Sequence, residues 1–180
     1  MSEASDRLKR IEEKIREREE TAVMGHSLIR EVVNEFLLSD RGYTADDIEI
    51  DRRFEIILDD KTEFTSVDYL ITINGKRFMA IKCTPGALES RERHLVAFAR
   101  VVSECLIPYA LVTDGARARM LDTKTGKVIA EGLDSIPDRK RAVEMTETVK
   151  FAPCAPERVE KEKRILLAFD SISCTQESGE

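Results

Sequence analysis

Two residues near the middle of the chain combine a type and a spacing that suit chemistry. Asp68, in "SVDYLITING", stands at the mouth of an apolar strand, and Lys82, in "FMAIKCTPG", closes another. Charged residues usually avoid such strands. Between them lies Asn74-Gly75, one of the stronger short hairpin signals a sequence can carry. A two-residue turn there sets residue 68 opposite residue 81, so Asp68 and Lys82 become near neighbours on paired strands. A carboxylate at that place can hold Mg2+, and a lysine beside it can orient or deprotonate a water. Metal-assisted phosphodiester hydrolysis needs both functions.

The elements that position this pair follow from periodicity. "HSLIREVVNEFLL" (26–38) carries a broad apolar stripe of Leu28, Ile29, Val32, Val33, Phe36 and Leu37, which predicts an amphipathic helix ending before Gly42. Three strand-like stretches follow at 48–58, 67–73 and 77–83, with a turn over 59–63. Residues 88–105 read as a second helix with Leu95, Phe98, Ala99 and Val102 at core spacing. "YALVTDG" is a buried strand, and "RARMLDTKTGKVIAEG" is a hairpin turning at 124–126. The helix between the strands of Lys82 and Tyr109 is long enough to make them a parallel pair in an otherwise antiparallel sheet. After Pro137 the text turns polar and irregular, until "PERVEKEKRILLAFDSI" supplies a last helix and "SCTQESGE" a polar tail. At the other end, 5–20 alternates in charge around Leu8, Ile11 and Ile15, as a solvated helix or a self-association surface would. The expected organisation is a charged helix over 1–20, one domain over 21–150, and a helix with a disordered tail over 151–180.

Composition narrows the chemistry. With 180 residues, 42% hydrophobic and 36% charged, the chain can build one domain with a real core. The scattered Cys83, Cys105, Cys154 and Cys174 form no C-x-x-C pair, so structural zinc is not expected. A net charge of −6 argues against gripping nucleic acid by overall charge, yet leaves room for a metal-using nuclease or a subunit that borrows its grip. No phosphate loop, G-x-S-x-G or motor motif occurs. A polar start with no secretory pattern, and no apolar run of membrane length, read as a cytoplasmic protein with no membrane association.

The ordered set of these parts resembles the PD-(D/E)xK nuclease superfamily. It is more narrowly similar to the N-terminal nuclease-like domain of type I restriction enzyme R (motor) subunits and its stand-alone relatives. The resemblance covers about Ser27 to Pro137: the leading helix, "VDYLITINGKRFMAIK", the next helix and "IPYALVTDGARARMLDTKTGKVIAEGLDSIP", with the late "RILLAF" helix. It implies an α/β (α+β) restriction-endonuclease-like fold, a mixed central sheet flanked by helices, with metal at the sheet's split edge. It implies a Mg2+-dependent DNA endonuclease, with Asp68 as metal ligand and Lys82 as the motif lysine. Glu31 or Glu35 matches the extra metal-site glutamate of part of the superfamily, and Glu92 is the candidate for members that recruit one from the following helix.

Two positions depart from the pattern. Ala80 stands two residues before Lys82, where relatives carry Glu, Asp or Gln, and His94-x-x-x-Phe98 stands where they often carry Gln-x-x-x-Tyr. His94 is thus a substrate contact or a packing histidine. Arg100, with Arg91, Arg93, Arg117 and Arg119, faces phosphate or makes surface pairs. The departures open an alternative: an inactive nuclease-fold module that binds nucleic acid or a protein partner. A homodimer is also open.

Overall fold

The computed structural model describes residues 13, 16, 17 and 25–174. Leu8, Ile11 and Ile15 of the expected N-terminal stripe, and the tail beyond residue 174, lie outside the described residues. Helix α1 spans 25–35 and continues as a π-helical turn, Phe36–Asp40. Its apolar stripe buries Val33 and Leu37. The chain then reverses through Gly42, whose φ of 71° lies where glycine pays no steric cost.

Strand β1 (Ile48–Ile50) opens the central sheet, and β4 (Tyr69–Ile73) and β5 (Lys76–Cys83) form its middle. Asn74 and Gly75 join the last two with φ of 50° and 76°, the left-handed pair that a type I′ turn needs. Near this turn the register is Ile73↔Lys76 and Thr72↔Arg77, but beyond a bulge it becomes Ile71↔Met79, Leu70↔Ala80 and Tyr69↔Ile81. The extra residue is Phe78, which packs in the same apolar cluster as its neighbour Met79. Continued one step, the shifted register sets Asp68 across from Lys82 itself rather than from Ile81. A turn alone fixes one register; the bulge changes it.

Helix α2 (Glu89–Val101) carries the chain from β5 to β6 (Tyr109–Thr113), and these strands pair in parallel. The hairpin of β7 (Ala118–Asp122) and β8 (Lys127–Glu131) completes a six-stranded sheet in the order β1-β4-β5-β6-β7-β8. One face, with Ile71, Phe78 and Ile81, packs on Val33 and Leu37 of α1 and Ala142 of α3 (Arg139–Thr148). The other, with Leu70, Ala80 and Val112, packs on Leu95 and Phe98 of α2 and Leu166 of α4 (Pro156–Cys174). No helix among the described residues is long and apolar enough to cross a membrane.

Four elements differ from the sequence reading. The stretch 48–58 is not one strand but two, Ile48–Ile50 and Arg53–Leu58, broken at left-handed Asp51 and placed in separate sheets. Strand β3 (Lys61–Ser66) occupies most of the expected turn and pairs with β2 (Arg53–Leu58) in a separate two-stranded sheet. The turn is only Asp59-Asp60, both left-handed at φ of 50° and 59°, a conformation Asp tolerates better than most residues. Helix α3 fills the segment read as irregular: Asp138 caps it by accepting the Arg141 N–H at 2.7 Å. Helix α2 ends at Val101, where Arg77 reaches over to donate to Ser103 Oγ at 2.6 Å.

Candidate functional site

The N-terminal mouth of β4 and the C-terminal ends of β5 and β6 meet at one edge of the sheet. Asp68 sits there with 2% of its surface exposed. Its Oδ2 accepts the Cys83 backbone N–H at 2.8 Å and lies 3.4 Å from Lys82 Nζ. Its Oδ1 lies 3.0 Å from His26 Nε2 and 3.8 Å from Arg30 Nε, both presented by α1 one turn apart. Asp68 and Lys82 are therefore brought together, and two basic groups join them from the opening helix.

The surroundings hold this arrangement firmly. Asp51, left-handed at φ 51°, pairs with Arg30 at 2.6 Å, and Tyr69 Oη donates to the Arg30 carbonyl at 2.7 Å. Burial works against the Arg30 charge, but its contacts with Asp51 and Tyr69 and the field of Asp68 outweigh it and raise its pKa. Burial, and then the Asp68 carboxylate, push the Cys83 thiol up to about 12, so it is no nucleophile at neutral pH.

Over this floor opens a cleft of about 480 Å³, lined by His26, Arg53, Phe64, Lys82, Arg91 and His94 among others. Two acids also line it, and each is answered: Asp51 by Arg30, and Asp170 by His94 Nε2 at 2.9 Å. Among the described residues Arg53 and Arg91 have no carboxylate partner, and Lys82 shares Asp68 with two other bases. Counting Arg30 and Asp68 behind the lining, Arg30, Arg53, Lys82 and Arg91 face Asp51, Asp68 and Asp170, so the cleft carries a small positive excess although the whole chain is acidic. Such a concave basic surface concentrates anions.

His94 reaches the cleft, 4% exposed, with its ring 5.6 Å from that of Phe169. Glu31 and Glu35 are exposed on α1, off the row that carries His26 and Arg30 to Asp68. Glu92 points to β7, where Arg119 takes it at 2.9 Å, and it lines a separate hollow. Arg100 is buried beneath the β7–β8 turn, donating to the carbonyls of Thr123 and Lys124 and pairing with Glu162 at 2.7 Å. The structure does not bring these last four to Asp68. His26, Arg30, Arg53 and Phe64 escaped the sequence reading. The four-residue spacing of His26 and Arg30 on a helix was the available signal for two of them.

A divalent cation does not fit this donor set. Mg2+ keeps several waters and needs at least one carboxylate oxygen free to bind it, whereas both oxygens of Asp68 already face basic groups and the Cys83 N–H. No group of three His, Cys, Asp or Glu among the described residues is placed to hold a metal ion. Ala80, where a second ligand would stand, is fully buried among Leu95, Phe98 and their neighbours.

A family model described as type I restriction enzyme R protein N terminus (HSDR_N) matches residues 26–137. Comparison with curated proteins and with solved structures returns no match. The matched span begins at His26 and takes in every strand of both sheets.

Proposed function

The chain belongs to the type I restriction enzyme R protein N-terminal family, and from that premise we propose that its cleft binds the phosphate backbone of DNA without cutting it. One observation carries this reading: both oxygens of Asp68 are taken by His26, Lys82, Arg30 and the Cys83 N–H, while Arg53 and Arg91 face the cleft unpaired. Lys82 then acts as a phosphate ligand, with Asp68 holding it in place. Membership also points, in general terms, to DNA and to the other subunits of a restriction enzyme as partners. A Mg2+-dependent endonuclease is the second reading, favoured by the 3.4 Å approach of Lys82 to Asp68.

Fluorescence anisotropy with labelled DNA at low salt tests the first reading, beside plasmid nicking and calorimetry with Mg2+ and Mn2+. The expected result is binding that falls about tenfold or more in Lys82→Ala/Arg91→Ala, with no nicking and no metal heat at millimolar concentration. Ala80→Glu should lower stability by about 3 kcal/mol or more, because it buries a charge in the apolar core, and should add no metal affinity. Nicking that requires Mg2+ and disappears in both Asp68→Ala and Lys82→Ala would establish the endonuclease instead.

A further inference from the structure

The β2–β3 hairpin stands apart from the central sheet, and its two faces are used differently. On one, Phe54 is buried edge-on against Phe98 with ring centroids 5.4 Å apart. On the other, Phe64 keeps 47% of its surface exposed, and the Arg53 guanidinium lies over its ring at 4.2 Å. Phe64 and Arg53 line the same cleft as Lys82 and Arg91. A large ring left half in water forgoes hydrophobic stabilisation that Phe54 and Phe98 obtain. Here it leaves an aromatic face, backed by a cation, beside a basic floor.

We infer that the cleft takes an unpaired nucleotide, with its phosphate on Lys82 and Arg91 and its base stacked on Phe64. The inference rests on the phosphate-binding reading and adds the class of nucleic acid. Aromatic platforms beside basic grooves bind single strands because every exposed base offers a π-face. In a duplex those faces are already stacked on one another, so Phe64 has nothing to meet. A volume of about 480 Å³ lies within the range of small-ligand sites, enough for one nucleotide and too little for a helix.

Three labelled probes of equal length separate the contributions by anisotropy: an oligothymidylate, the same strand with abasic sites, and a hairpin duplex. Wild type is expected to bind the oligothymidylate about tenfold more tightly than either other probe. Phe64→Ala should bring it down to the abasic level, and Phe64→Trp should restore it. Phe64 is exposed, so neither change threatens the fold, which circular dichroism checks. Lys82→Ala should weaken all three probes alike. If Phe64→Ala leaves the preference for the oligothymidylate unchanged, or wild type shows none while Lys82→Ala still weakens binding, this inference is overturned and phosphate binding stands. If no probe binds at low salt, the phosphate reading fails and this one falls with it.

Discussion

At the scale of single residues, Asp68 separates the two functional readings. In a metal site its charge recruits the cation; here it offsets the charges of Lys82 and Arg30 and so lowers the positive field of the cleft. Asp68→Asn keeps an acceptor for the Cys83 N–H but leaves Arg30 and Lys82 without their counter-charge and His26 Nε2 without its carboxylate partner. Removing one partner from a buried ionic cluster costs about 3–5 kcal/mol, and urea denaturation should register a loss near the lower end. DNA affinity in the same variant should hold or rise, and millimolar Mg2+ should leave it unchanged. A Mg2+ stimulation present in wild type and lost in Asp68→Asn would return the residue to metal duty. The Asp68–Lys82 pair was legible because each breaks the apolar rule of its strand and a hairpin signal joins them. His26 was not, because a polar residue at the start of an amphipathic helix looks like any other until the helix is docked.

At the scale of elements, the two helices on the far side of the sheet are tied by a buried carboxylate. Glu162 of α4, 3% exposed, pairs with Arg93 and Arg100 of α2, each at 2.7 Å. Burial alone would raise its pKa, but the hydrogen bonds and charges of the two arginines outweigh burial and lower it. The folded pKa therefore lies below the unfolded value near 4.3, so the carboxylate's contribution is fully present above that value and is lost as pH falls through the lowered one. Thermal melts between about pH 5 and pH 2 should show a decline in wild type that is shallower in Glu162→Gln, which is less stable at neutral pH by about 3 kcal/mol. A variant with the wild-type melting temperature at pH 7 would show that the pair contributes nothing. Elements with strong periodicity, α1, α2 and α4, were readable. α3 was not, because its buried row consists of small or polar Ala142 and Thr146. β3 was hidden likewise, since all but Thr65 of its residues are exposed.

At the scale of the molecule, a net charge of −6 and a basic cleft predict how binding responds to salt. With Lys82 and Arg91 on phosphate and Arg53 over the Phe64 ring, the slope of log K against log salt for a single strand should lie between about −0.7 and about −1.4, since each phosphate neutralised contributes roughly −0.7. A titration from 50 to 300 mM NaCl measures it. A slope near zero would remove phosphate contacts from the account, and one much steeper would require a basic surface beyond the cleft.

The sequence by itself determined the order of the main elements, the parallel β5–β6 pair and the joining of Asp68 to Lys82, because periodicity and turn chemistry are local properties. Through the resemblance to the nuclease superfamily it also pointed to Ala80, which stands where relatives carry Glu, Asp or Gln. Tertiary structure alone decided what surrounds that pair. The Phe78 bulge, the docking of α1 and the overhanging β2–β3 hairpin bring His26, Arg30, Arg53 and Phe64 to one edge from segments distant in the chain. The field at a carboxylate is a sum over neighbours in space, and those neighbours are fixed only when the elements pack.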